Sequence, residues 1–167
     1  AQMIGFSEEE LYQCAVKNTP RLFPAVINPI EKEILGLGCF ENEKSEDDMI
    51  REAFDFSAGM PLAVISNDKK SNGASVVLYD NLLSRLADAA NADLILLPSS
   101  VHEFLAVPYF ENVDINKFIG MVKEVNETQV AEEERLSDNV YVFRRKEGLI
   151  SCLSTFTIRV LNNLCYC

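Results

Sequence analysis

The sequence predicts an α+β fold in which N-terminal helices pack on a mainly antiparallel sheet built from two or three hairpins. Two observations carry this prediction. Apolar runs that suit strands recur in pairs around short polar turns, and the segments between the pairs repeat their apolar residues at helical spacing. After the helical N-terminal part we therefore expect the order β-β-α-β-β-α-β-β, which favours antiparallel neighbours in the sheet.

The length and composition fit a single domain over residues 1–167. The chain has 167 residues, of which 48% are hydrophobic and 25% charged, and this supplies enough apolar material for a core. We expect a helical part over 1–60 and the sheet with two helices over 61–152. The tail 153–167 is rich in Thr, Ile, Val and Leu, and it fits either a continued strand or a short helix.

The first helix is predicted to begin at a capping box. The Ser7 hydroxyl can accept a hydrogen bond from the Glu10 amide, and the Glu10 carboxylate can reach back to the Ser7 amide. The helix should stop at Asn18 and Pro20, since proline disrupts a helix interior. Its apolar face carries residues at helical spacing, namely Leu11, Cys14 and Ala15.

A second, shorter helix is predicted within 21–38. Asn28 suits its N-cap, Pro29 its first helical position and Gly36 its C-terminal end. The residues expected to be buried are Ile30, Ile34 and Leu35.

A third helix should follow the charged segment 41–48. Ser45 can cap it, and Gly59 can end it. Its apolar residues are Met49, Ile50, Ala53 and Phe54.

The first hairpin is predicted from strands at 62–65 and 74–79, where consecutive apolar residues indicate a sheet covered on both faces. The polar segment 66–73, which ends in Asn-Gly, should form the hairpin loop. A helix follows over 80–91, with Asp80 or Asn81 as its cap. The residues of its buried face are Leu82, Leu83, Leu86, Ala87 and Ala90.

The second hairpin should pair 93–97 with 101–107 around a Pro-Ser-Ser turn. Asp114 then caps the most regular amphipathic helix of the chain. A final pair of strands is predicted at 140–143 and 149–152. The apolar residues of the helix are Ile115, Phe118, Ile119, Val122 and Val125.

The charge balance argues against a nucleic-acid-binding protein. The chain has 26 acidic and 15 basic residues, which give a formal net charge of −11 at pH 7. Such a surface repels a phosphate backbone. It suits a soluble protein, or an acidic face that docks on a basic partner.

The cysteines and the absence of targeting patterns favour the cytoplasm. The five cysteines are odd in number and irregularly spaced, so we expect reduced thiols rather than a disulfide framework. We expect no membrane span and no signal peptide, because no long apolar run or basic leader is present. With one histidine and no nucleotide-binding motif, we expect neither a metal site nor a cofactor.

The candidate catalytic residues are Ser99, Ser100 and His102, with Glu103 beside them. A hydrolase needs a hydroxyl nucleophile, a base and an orienting acid. On a strand, His102 and Glu103 would point to opposite faces, so the acid would have to come from elsewhere in the fold. No G-x-S-x-G motif is present. We interpret the segment as a structural turn, with a hydrolase site as the alternative.

Other polar and aromatic groups are explained by structure as well as by ligand binding. The 66–73 loop lacks the EF-hand and P-loop patterns. The acidic segment 132–138 could hold a divalent metal and the basic triplet 144–146 an anion, but both suit solvated turns. Four aromatic residues suit the core better than a pocket. They are Phe104, Tyr109, Phe110 and Phe118.

Four stretches together carry a family resemblance: GFSEEELYQCAVKNTPRLFP, MPLAVISNDKKSNGASVVLYD, ADLILLPSSVHEFLAVP and MVKEVNETQVAEEERLSDNVYVF. The chain resembles a domain-of-unknown-function family of Firmicutes, common in gut Clostridia and often near mobile elements, over about residues 5–148. The resemblance implies an intracellular bacterial protein. It implies no activity, substrate or catalytic residue.

Three functions are consistent with the sequence. The first is a non-enzymatic binding or regulatory module that acts through protein–protein contact, since no catalytic motif is complete. The second is a hydrolase that uses His102 with Ser99 or Ser100. The third is an acidic inhibitor that mimics nucleic acid, which needs its acids gathered on one face. The segments that supply those acids are 8–10, 41–48 and 132–134.

Overall fold

A six-stranded antiparallel sheet forms the centre of the computed structural model, which describes residues 5–36, 44–111 and 113–153. The strands are β1 (Ala25–Pro29), β2 (Ala63–Asn67), β3 (Asp93–Pro98), β4 (Phe104–Tyr109), β5 (Tyr141–Arg144) and β6 (Leu149–Cys152). Their order in the sheet is β1-β2-β4-β3-β5-β6, and every neighbouring pair is antiparallel. The predicted α+β class is confirmed.

Five α-helices and three short 3₁₀ helices surround the sheet in the described part of the chain. The α-helices are α1 (Glu8–Leu22), α2 (Ile30–Ile34), α3 (Glu46–Ala53), α4 (Leu82–Ala90) and α5 (Ile115–Thr128). The 3₁₀ helices are Phe56–Ala58, Gly73–Leu78 and Glu132–Glu134. None of the described helices has the length and apolar character that a bilayer crossing requires.

The first strand lies where the sequence predicted the start of a helix. Ala25–Pro29 pairs with β2, and α2 begins only at Ile30. Ile27 explains the difference, because it is 1% exposed and lies opposite Ile65 in the core. The predicted burial of α2 is also wrong, since Ile34 and Leu35 are 76% and 69% exposed.

The strand predicted at 74–79 is wrong, and so is the hairpin loop that was to precede it. Gly73–Leu78 forms a 3₁₀ helix instead. These residues cannot pair with β2, because β1 and β4 already occupy its two edges. The side chain of Val76 packs in the core on one face of the sheet and is fully buried, whereas Leu78 is exposed.

Helix α1 begins as predicted and ends later. The Ser7 hydroxyl accepts the Glu10 N–H, and the Glu10 carboxylate accepts the Ser7 N–H, so the capping box is complete. The helix continues through Pro20 to Leu22, since a proline near the C-terminal end costs a single backbone hydrogen bond. No residue of α1 is buried.

The remaining elements match their predictions to within a few residues, except that α3 ends at Ala53 and Gly59 instead ends the separate Phe56–Ala58 helix. The caps of α3 and α5 form as expected, with Ser45 accepting the Asp48 N–H and Asp114 accepting the Asn116 N–H. Asn81 holds the N-cap position of α4 in a left-handed conformation, without a side-chain cap bond. The tail, apart from Leu153, lies outside the described residues.

The sheet separates two apolar cores. On one face, side chains of β1 to β5 pack against α3, α4 and the Gly73–Leu78 helix. On the other face, α5 covers the sheet through Val122. The second core also contains Ile95, Leu97 and Val107 from the strands and Val140, which directly precedes β5. The N-terminal helices are therefore packed on the sheet in part: α3 enters the core, and α1 does not.

We expect Gly73→Ala to lower the free energy of unfolding by about 3 kcal/mol, because the new methyl group would overlap fixed atoms. A Cβ there would lie 2.8 Å from the Asn67 amide nitrogen and closer still to the Ser66 hydroxyl and the His102 carbonyl. Denaturant unfolding measures the loss. Gly120→Ala is the control: it meets nothing within 4 Å in α5 and should add roughly 0.5–1 kcal/mol. Equal effects at both glycines would contradict the close packing.

Candidate functional site

Three segments that are distant in sequence meet around His102. They are the segment 66–74, which begins with the last two residues of β2, the turn 99–103 between β3 and β4, and the Glu132–Glu134 helix. We call this meeting point the histidine junction. The strand after the turn begins at Phe104, three residues later than the sequence predicted, so His102 lies in the turn rather than on a strand.

Both nitrogens of the His102 ring face partners within the protein. The Asn72 N–H donates to Nδ1 at 3.1 Å, and Nε2 lies 3.4 Å from Oε1 of Glu134. Because Nδ1 accepts a hydrogen bond, the ring proton of the neutral imidazole lies on Nε2 and points toward the Glu134 carboxylate. The lone pair that a general base would use is therefore occupied by a backbone amide.

The two candidate serines do not bond to this imidazole. The Ser99 hydroxyl lies 3.3 Å from Oε1 of Glu103, and the Ser100 hydroxyl accepts the His102 N–H at 3.0 Å. The structure thus brings His102 together with a carboxylate, and it directs the nearby hydroxyls elsewhere. Sequence reasoning missed Glu134, since nothing in a distant acidic turn indicates which loop it will contact.

Backbone contacts also hold the junction together. The Ser66 hydroxyl donates to the His102 carbonyl at 2.7 Å, and the Ala74 N–H donates to the Val101 carbonyl at 3.2 Å. The Val101 N–H donates to the Glu134 carbonyl at 2.8 Å. These bonds tie the other two segments to the turn, so the junction fixes the relative positions of all three.

Asn67 fixes the conformation of the polar 66–73 loop, for which ligand binding was the alternative interpretation. It is 3% exposed, and its Oδ1 accepts the N–H groups of Lys69 and Ser71 at 3.0 and 3.3 Å. Its Nδ2 donates to the Ser71 carbonyl at 2.8 Å. The oxygen that a cation would need is thus already bonded to the loop's own amides. Within the described ranges, no group of three or more His, Cys, Asp or Glu is arranged to hold a metal.

The basic triplet 144–146 forms a clamp rather than an open anion site. Arg144 pairs with Asp93 at 2.9 Å, and Nε of Arg145 pairs with Asp88 at 2.7 Å. The Arg145 N–H also donates to Asp93 at 2.8 Å. One hollow of about 370 Å³ lies along the side of α4, and another of about 490 Å³ lies directly after its C-terminal end, but the arginines of both face carboxylates of the same chain.

The electrostatics of the clamp favour the ionised form of Asp93. Partial burial raises the pKa of this carboxyl, but the hydrogen bonds from the Arg144 guanidinium and the Arg145 amide outweigh it. The net result is a pKa below the ordinary value of 3.8. The clamp therefore stabilises the fold most when Asp93 is charged.

The four aromatic candidates do not line one pocket. Phe104 lies in the core shared with α3 and α4, whereas Tyr109 and Phe118 pack on the opposite face of the sheet. Phe110 is 42% exposed and contacts Phe56. The guanidinium of Arg144 lies 5.6 Å from the centre of the Tyr109 ring.

Comparison with known proteins gives one match. A family model described as a family of unknown function (DUF5688) matches residues 1–145, a range that contains every segment of the histidine junction. No curated protein and no solved structure matches the chain.

We expect His102→Ala to lower the free energy of unfolding by about 1 kcal/mol, because one hydrogen-bonded link between loops is lost. Amide hydrogen exchange at Asn72 should become faster, since its acceptor is removed. Ser99→Ala is the matched control and should change stability by less than about 0.5 kcal/mol. Unchanged exchange at Asn72 would contradict the assigned bond.

We expect Asp93→Asn to destabilise the protein by about 1–2 kcal/mol at pH 7, because two charge-assisted hydrogen bonds weaken. The folded pKa of Asp93 is depressed, so its contribution is complete above the unfolded value and is lost as the pH falls through the folded value. The stability difference between the two proteins should therefore begin to shrink only as the pH falls below about 4, and it should vanish below the folded pKa of Asp93. Unfolding curves across pH measure this, with the exposed Asp88→Asn as a control of smaller effect.

Proposed function

The chain belongs to the family of unknown function DUF5688, and from its surface we propose that it is a non-enzymatic binding or regulatory module of the bacterial cytoplasm that acts through protein–protein contact. The resemblance of the chain to a family of bacterial proteins supports a bacterial source. The exposed thiol of Cys14, which forms no disulfide, supports a reducing compartment.

Helix α1 is the observation that carries the proposal. An apolar stripe runs along it, with side chains at spacings of three, four and seven residues; three of these side chains are exposed, and those of Leu11 and Val16 are half-buried. Tyr12 and Leu22 are 49% and 62% exposed. A short helix in water depends mostly on the packing of its apolar face, so an unburied stripe favours a partner that covers it. The stripe consists of Leu11, Tyr12, Ala15, Val16 and Leu22.

Charge restricts the partner to a protein with a basic rim around an apolar surface. The first turn of α1 carries Glu8, Glu9 and Glu10, and the whole chain has a formal net charge of −11. Complementary charge speeds encounter and selects against acidic partners.

One contact supports the hydrolase alternative, but the hydrogen bond between a serine and the imidazole is not formed. The Glu134 carboxylate beside His102 has the position of an orienting acid. A serine hydrolase also needs a hydroxyl that donates to the imidazole, and the described bonds of Ser99 and Ser100 go to other atoms. The binding module is therefore the better-supported function.

The nucleic-acid mimic is weakened by ion pairs within one of its acidic segments. Arg85 contacts Glu46 and pairs with Asp47 at 2.6 Å, and Arg51 pairs with Asp48 at 3.0 Å. Carboxylates paired in this way do not present the regular row of uncompensated charge that a phosphate backbone carries. Residues 41–43 of this segment lie outside the described residues.

The proposal is tested by affinity capture with variants of α1. We expect the immobilised wild-type chain to retain one specific protein from a lysate of its own source organism. The double variant Tyr12→Ser, Leu22→Ser should not retain that protein, because the apolar stripe is interrupted. Leu78→Ser is the control, since Leu78 is 69% exposed and lies outside α1. Mass spectrometry identifies the protein. Capture that is equal for all three chains, or absent for the wild type, would reject the proposal.

A further inference from the structure

We propose that a second surface, which we call the aromatic–acidic patch, binds a partner segment that combines apolar with basic side chains. The patch consists of Asp55, Phe56, Met60, Phe110 and Glu111. None of these residues belongs to α1, so this surface is separate from the one on which the proposed function was argued. The inference rests on that function only in taking the partner to be a protein.

Two aromatic rings from distant parts of the sequence meet at the patch. Phe56 lies in the 3₁₀ helix after α3, and Phe110 directly follows β4. Their ring centres are 6.3 Å apart at an angle of 59°, yet they are 43% and 42% exposed. An aromatic pair that forms at the surface keeps apolar area in contact with water, and a partner gains by covering it.

Two shallow hollows adjoin the Phe56 side of the patch. A hollow of about 570 Å³ is lined by Asp55 and Phe56 and by the ion pairs of Lys44 and Arg51, and a smaller one of about 210 Å³ is lined by Asp55 and Met60. Met60 is 54% exposed, and its flexible side chain can adapt to different partners. Asp55 borders both hollows, which offer positions for side chains of a partner.

The charge of the patch is acidic and uncompensated. Asp55 precedes one ring and Glu111 follows the other, and no described cation pairs with either carboxylate. Other acids beside the larger hollow differ, since Asp48 pairs with Arg51 and Glu52 with Lys44. Hydrogen bonds from Ser57 hold the pKa of Asp55 below its ordinary value, so this carboxylate is charged at neutral pH.

These features select the chemistry of the partner. The rings need apolar side chains, and the two carboxylates need lysine or arginine beside them, as on one face of a basic amphipathic helix. A second copy of the chain fits less well. It would bring a formal net charge of −11 against an identical charge, and the repulsion would oppose contact.

The probe for this surface is a short amphipathic peptide of leucine and lysine, compared with an analogue in which glutamate replaces lysine. We expect the basic peptide to bind the full chain, with NMR shift changes centred on 55–60 and 109–111. The acidic analogue should bind at least about tenfold more weakly, because it meets like charge.

Variants then locate the contact. Phe56→Ser and Phe110→Ser should each weaken the peptide at least about tenfold, as expected for aromatic anchors. Glu111→Gln should weaken it a few-fold and reduce the salt dependence of binding. Leu149→Ser on β6, where Leu149 is 39% exposed, is the matched control and should leave affinity unchanged. Circular dichroism checks that each variant is folded, and Glu111→Gln keeps the test valid if a phenylalanine variant unfolds.

Three results would overturn the inference. One is equal binding of both peptides or of neither. Another is loss of binding in Tyr12→Ser but not in the patch variants, which would move the contact to α1 and leave the proposed function standing. The last is a wild-type dimer that Phe56→Ser converts to a monomer in sedimentation, which would make a second copy the occupant. Conversely, failure of the α1 capture experiment with intact peptide binding would reject the proposed function alone.

Discussion

The pairing of β2 on both of its sides is the constraint on which the rest of the structure depends. Because β1 and β4 occupy its two edges, the apolar residues that follow β2 cannot join the sheet. These residues form the Gly73–Leu78 helix instead, which packs on one face of the sheet with Val76 in the core. That path presses Gly73 against Ser66 and the His102 carbonyl, and so it creates the histidine junction.

The junction shows how a cluster of reactive residue types can serve structure. A backbone amide occupies one imidazole nitrogen, and the other faces a carboxylate. Across the described residues, no buried side-chain nitrogen or oxygen lacks a hydrogen-bond partner. Polar groups that are satisfied in this way fix the position of loops, whereas catalysis needs groups that are free to exchange partners with a substrate.

The surface contrasts with this satisfied interior. The chain leaves the stripe of α1 and the rings of Phe56 and Phe110 in contact with water, although its cores on both faces of the sheet are closed. Apolar residues in such positions contribute little to the stability of the isolated fold. The binding function proposed above would give these exposed side chains a role in association.

The sequence by itself determined the features whose partners lie within a few residues. The caps at Ser7, Ser45 and Asp114 and the turn between β3 and β4 depend on local hydrogen bonds and periodicity, so their predictions are confirmed. Only the tertiary structure decided that 25–29 is a strand, that 74–78 is not, and that Glu134 meets His102. Those outcomes depend on which edge of the sheet is vacant and on which distant loops come together. The residue pattern within one segment does not contain this information.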